Sequence, residues 1–203
     1  SFGATRLIVR DDAGATELRV DGSAISGVLS IPGQALQRQG VSARFDRFHW
    51  PETPPGTPDD DASGMPEVAP SSLPPLHITI NDFMLGKASF GAAEFDSHPT
   101  ADGMRVDKLE SHSPNVNMTA TGNWSGSAER NASHLIVRLT AQNLGHMMDA
   151  LGFPGLIDGG QTTADIDAIW PGPPSAFALA KLETGAITLN VSEGRILEVE
   201  PGA

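Results

Sequence analysis

The sequence predicts a mainly β fold: a curled antiparallel sheet, either a taco-like groove or an open sandwich, with one short helix. Three observations predict it. Apolar residues recur at every second position in one run after another, the period of a strand with one buried face. Clusters of Gly, Asp, Asn and Pro punctuate the runs at short intervals, as turns do. Helical spacing is confined to a single window near residues 143–151.

From Leu7 to Trp50 the pairs Leu7/Val9 and Leu18/Val20 and the triplet Val41/Ala43/Phe45 keep a period of two around "DDAG" and "VDGS" turns. Residues 1–50 therefore read as a β-meander. Residues 51–75 hold 8 of the 16 prolines and 5 acids with no base. Such a stretch buries too little apolar surface to offset its ordering entropy, and its prolines keep it out of a ladder. It reads as an acidic, mobile loop, and Asp59-Asp60-Asp61 lacks the alternating ligands and distal Glu of a calcium loop. Alternation then resumes from Leu76 to the end, through "HITIND", "GKASFGAAEFD", "GMRVDKLESH", "NVNMTATGNW", "SHLIVRLTAQ", "TADIDAIW", "FALAKLETG" and "AITLNVSEGRILEVE". A sheet with one apolar face has to bury that face against something. Within 76–203 the helix has Asn143 as its N-cap, Leu144, Met147, Met148 and Leu151 on one side, and Gly152 with Pro154 as its stop. Nine residues do not hold a helix alone in water, so it is expected to cap or plug an edge of the sheet.

The three tryptophans mark strand ends. Trp50-Pro51, Trp124-Ser125-Gly126 and Trp170-Pro171-Gly172-Pro173-Pro174 each close an alternating run with a residue that resists further pairing.

Chemistry-bearing motifs are missing. With 13 basic and 25 acidic residues the net charge is −12, and no basic cluster interleaves with aromatics, so nucleic acid is not an expected partner. Without cysteine there are no disulfides, thiolate sites or cysteine nucleophiles. No nucleophile elbow, phosphate loop or zinc-binding helix occurs, and the six histidines lack ligand spacing. Ser111-His112-Ser113 places a nucleophile beside a base, yet sequence neighbours on a strand face opposite ways. Asp165 and Asp167 share the wet face of one strand, where carboxylates serve solubility. No enzyme activity, metal or cofactor is expected. The chain starts "SFGATRLIVR" without methionine and ends "LEVEPGA" in a strand-like run, so it is expected to be a piece of a longer protein.

Four stretches together carry a resemblance: "TGNW" closing a strand, "LGFPGLIDGG" after the helix, "IWPGPPSAFAL" at the break and "LETGAITLNVSEGRILEVEPGA" as a final hairpin. The chain resembles the carboxyl-terminal region of the AsmA-like envelope proteins of Gram-negative bacteria, in the YhdP branch. The matching positions are Trp170, Gly172 and Pro174, then Gly185, Ile187, Leu189, Gly194 and Ile196, then Val199, Pro201, Gly202 and Ala203. The likeness is strongest from Leu76 onward and weaker over Leu7–Trp50.

The resemblance implies a long sheet built by repetition, whose apolar concave face is a groove for phospholipid acyl chains. It also implies a periplasmic protein held in the inner membrane by a segment outside these residues, bridging toward the outer membrane without catalysis. Partners so implied are phospholipid acyl chains, the remaining segments of the same polypeptide and envelope proteins. On alternation alone, the expected lining is Ile78, Ile80, Val116, Met118, Leu135, Val137, Leu139, Ile166, Ile187 and Leu189, with Trp50, Trp124 and Trp170 as rim residues. A closed β-sandwich acting as a binding or adhesion module, or a scaffold for outer-membrane protein assembly, shares the same alternation and stays open at this point.

Overall fold

The computed structural model describes residues 4–12, 14–51, 68–150, 157–174 and 184–196. These form one sheet of eleven strands in chain order. The strands are β1 (Thr5–Asp12), β2 (Ala15–Gly22), β3 (Ile25–Pro32), β4 (Val41–Trp50), β5 (Leu76–Leu85), β6 (Ala88–Pro99), β7 (Gly103–His112), β8 (Val116–Gly126), β9 (Asn131–Ala141), β10 (Ile157–Pro171) and β11 (Thr184–Ile196). The sheet is open, with β1 and β11 as its two edges.

Every neighbouring pair is antiparallel except β4 and β5, which run parallel from Val41↔Leu76 to Trp50↔Leu85. Parallel neighbours need a crossover of a dozen residues or more, because the chain must return along the strand before pairing again. The proline-rich segment is that crossover. Its residues 52–67, with the Asp59-Asp60-Asp61 triplet, lie outside the described residues. Its carboxyl end is seated in a 3-10 turn (Pro70–Ser72), where Pro70 is fully buried and the turn packs on β6, β7 and β8.

Two helices accompany the sheet. The expected one is α2 (Leu144–Ala150), and its N-cap is as read from sequence: the His146 backbone N–H donates to Asn143 Oδ1 at 2.9 Å. The other, α1 (Leu36–Gln39), was not expected from the sequence; it is a single turn joining β3 to β4. Gly40, at φ 72°, closes it by donating its N–H to the Leu36 carbonyl at 2.8 Å. One turn is too short to produce a helical period.

The final stretch also differs from expectation. Residues 184–196 make no hairpin but run on as one strand, paired with β10 from Ile169↔Thr184 to Ile157↔Ile196. Within it, Gly159 (φ 70°) and Gly160 (φ 88°) on β10 lie opposite Glu193 (φ 59°) and Gly194. The positive-φ residues are accommodated without any register shift, and the ladder continues on both sides of them. "FALAKLETG" up to residue 183 and "LEVEPGA" lie outside the described residues.

Three of the register shifts in the sheet share one sequence form. Register shifts fall at Phe45-Asp46-Arg47-Phe48 in β4, Ile80-Asn81-Asp82-Phe83 in β5 and Val106-Asp107-Lys108-Leu109 in β7. Each places two polar residues between two apolar ones. Strict alternation would turn the second apolar residue outward, and the bulge returns it to the same face.

Two substitutions test this packing. At Gly122 an added Cβ would lie 2.0 Å from the His134 carbonyl oxygen and 2.7 Å from Leu135 Cδ2. Gly122→Ala is expected to destabilise by about 1–3 kcal/mol, read as a lower urea midpoint at unchanged slope. Trp170 is 1% exposed and Trp50 is 41% exposed. Trp170→Ala should cost about 3–5 kcal/mol in the same measurement and Trp50→Ala much less.

Candidate functional site

Residues directly opposite one another in a ladder share a face, so the register can be followed across the whole sheet. One such row is Val9, Leu18, Leu29, Ala43, Ile78, Phe95, Leu109, Ala120, Val137, Ile166 and Ile187, one residue from each strand. All eleven are apolar. The row beside it is Leu7, Val20, Gly27, Phe45, Ile80, Ala93, Ser111, Met118, Leu139, Ala164 and Leu189. Only Gly27 and Ser111 interrupt it. The two rows make a continuous apolar band perpendicular to the strands, about 50 Å long at ~4.8 Å per strand.

The band is deep in the middle and open at the ends. Ala43 and Ala120 are 2% and 4% exposed, whereas Val9 at one edge and Ile187 at the other are 60% and 54% exposed. Leu7 and Leu189 repeat the gradient in the second row. Among the described residues no second sheet covers this face.

All ten residues expected as lining lie on this one face. Ile78, Val137, Ile166 and Ile187 stand in the first row, and Ile80, Met118, Leu139 and Leu189 in the second. Leu135 follows in the row of Leu76, Val106 and Ala168, and Val116 in the row of Ala141 and Thr162. The sequence reading missed Phe48, Phe83, Phe90 and Leu109, because Phe90 sits in a register shift and the other three follow bulges that break the period. The apolar-Asx-polar-apolar form of three of those bulges is the pattern that would have found them.

The tryptophans sit at strand ends, on two opposite sides of the band. Trp124 and Trp170 flank Ser133 in one row. The Trp124 indole donates to Asn131 Oδ1 at 2.7 Å, and the Trp170 indole donates to the Pro173 carbonyl at 3.1 Å. Ser133 is fully buried between them and donates to the Gly172 carbonyl at 2.8 Å. Trp50 lies at the far ends of the strands, where its carbonyl accepts the Gly86 N–H at 3.0 Å.

The opposite face is polar and paired. From Arg44 its central row reads Thr79, Glu94, Glu110, Thr119, Arg138, Asp165 and Thr188. Asp165 accepts from Arg138 at 2.7 Å and Asp167 pairs with His134 at 2.7 Å, so the two carboxylates have separate partners. His49–Asp82 and His77–Asp96 meet at 2.7 Å and His98–Asp107 at 2.5 Å. Lys108 bridges Glu94 at 2.5 Å and Glu110 at 3.3 Å, and these two carboxylates hold its ammonium above the ordinary lysine pKa. Ser111 is buried on the apolar face, while His112 bonds Asn117 on the polar one. Among the described residues no three of His, Asp and Glu converge as a metal site, and no helix is long and apolar enough to cross a membrane.

α2 closes one side of the band. Met147 and Ala150 pack on the buried cluster Ala88, Phe90, Val116 and Ala141, together with Phe83, Met118 and Leu139. The Lys87 N–H donates to the Ala150 carbonyl at 3.1 Å, tying the end of the helix to the start of β6.

No curated protein and no solved structure matches the chain. A family model does: the one described as YhdP protein matches residues 1–203, the whole chain, which therefore belongs to the YhdP family.

Proposed function

We propose that the apolar band is a trough that shields phospholipid acyl chains as they cross the periplasm between inner and outer membrane. The single observation that carries the reading is the unbroken apolar row from Val9 to Ile187, exposed at both edges. An exposed apolar patch of this extent marks a binding surface. Family membership supports an envelope role related to lipid transport.

The work asked of such a trough is solvation. Each acyl CH₂ exposed to water costs about 0.8 kcal/mol, so a sixteen-carbon tail faces a barrier of roughly 13 kcal/mol. A band without a polar step along its first row lowers that cost evenly, while the open edges let head groups remain in water. Nothing in this scheme calls for a nucleophile, a metal or a cofactor. Continuation across β1 and β11 belongs to other segments of the polypeptide.

Native mass spectrometry of the chain purified from bacteria, with lipid extraction of the same sample, tests the reading. Phospholipid is expected to co-purify and to be lost in Leu189→Asp and Val137→Asp. Leu189 is half-exposed already, so its variant should keep the wild-type circular dichroism and melting transition. A chain that never carries lipid, or variants that retain it fully, would count against the trough.

A further inference from the structure

Resting on that reading, we propose that α2 is a displaceable plug, occupying a section of the trough that an acyl chain would otherwise fill. The section is the one floored by the buried cluster Ala88, Phe90, Val116 and Ala141, against which Met147 and Ala150 pack beside Met118 and Leu139. Met118 and Leu139 belong to the second apolar row and rest against the same cluster, so a tail following that row is led to the surface the helix holds.

Three features suit a removable occupant. With seven residues, α2 is well below the length that stands alone in water, so its helical state depends on the floor beneath it. Beside Ala150, the helix packs onto this cluster with Met147, an unbranched, flexible side chain that fills an apolar slot much as a short alkyl chain does. The far end of the helix meets the sheet at a backbone hydrogen bond, Lys87 N–H to the Ala150 carbonyl. Its other side carries the exposed His146 and Asp149. A lipid tail arriving along the second row from the β11 edge, where Leu189 is 50% exposed, passes Ala164 to Leu139 and there reaches the cluster on which the helix packs, so it must lift the helix to occupy it.

The chain has no cysteine, so a disulfide can be introduced without competing thiols. Lys87→Cys with Ala150→Cys bridges the point where helix and sheet already touch, and Met147→Asp unseats the helix by placing a carboxylate on an apolar floor. The probe is phosphatidylethanolamine carrying a diazirine in one acyl chain, with photo-crosslinked peptides mapped by mass spectrometry. In the oxidised double variant, crosslinks to Met118 and Leu139 should fall about tenfold, while those to Ile187 and Leu189 persist and reduction restores the loss. Met147→Asp should raise crosslinking at Met118 by a similar factor, the equivalent of about 1.4 kcal/mol. Unchanged crosslinking at Met118 in the locked protein would overturn the plug and leave the trough standing. Absence of crosslinks to any residue of the band, locked or reduced, would sink the trough and the plug with it.

Discussion

The register of the strands is the constraint on which the rest depends. A slip of one residue in any ladder turns that strand's apolar set to water and its polar set inward. Here ten ladders in succession hold one apolar residue of each strand in a single line from Val9 to Ile187. The penalty for error accumulates across the sheet, because each strand templates the next. Burial follows from this alignment: small residues in the middle, such as Ala43, Ala120 and Ala168, are nearly sealed by their larger neighbours although no second layer exists among the described residues.

Bulges reconcile that alignment with curvature. An extra residue increases local twist and bends the strand, and left uncorrected it would invert the faces beyond it. The sequence supplies two polar residues at each of three such points, Asp46-Arg47, Asn81-Asp82 and Asp107-Lys108, so both can remain on the wet side. Asp82 and Asp107 then pair with His49 and His98 on neighbouring strands. The same insertions that bend the sheet thus furnish ion pairs to its polar face. These pairs are exposed and individually weak, so their larger effect is to keep that face hydrated and unattractive to another sheet.

The parallel step between β4 and β5 is the one break in the meander of the described residues, and it divides the sheet into two antiparallel blocks, four strands and seven. The apolar row passes through it without interruption, from Ala43 to Ile78. Parallel pairing here needs a long connection, which gives the proline-rich segment a structural reason to exist: it carries the chain back so that β5 starts level with β4. Pro70 at its end is buried against β6 to β8, near one side of the band, while α2 covers the other. The two edges, where Val9 and Ile187 are more than half exposed, are left as the most accessible apolar surface.

Much of this was legible in the amino-acid order. Alternation gave the strands from Leu76 to Trp170 and put Ile78, Val137 and Ile166 on the apolar side, and Asn143 marked where α2 begins, because side-chain direction on a strand and capping at a helix end are local properties. The turn glycines were legible for the same reason. What only the tertiary structure decided is everything that depends on partners distant in sequence. The stretch read as a final hairpin pairs instead with β10 as one strand from Thr184 to Ile196. Phe48, Phe83 and Leu109 recover their face through bulges defined by neighbouring strands. Trp170 is buried and Trp50 half open although both close a strand before proline, since burial is fixed by what lies across the sheet, and the residue sequence around each tryptophan does not contain that.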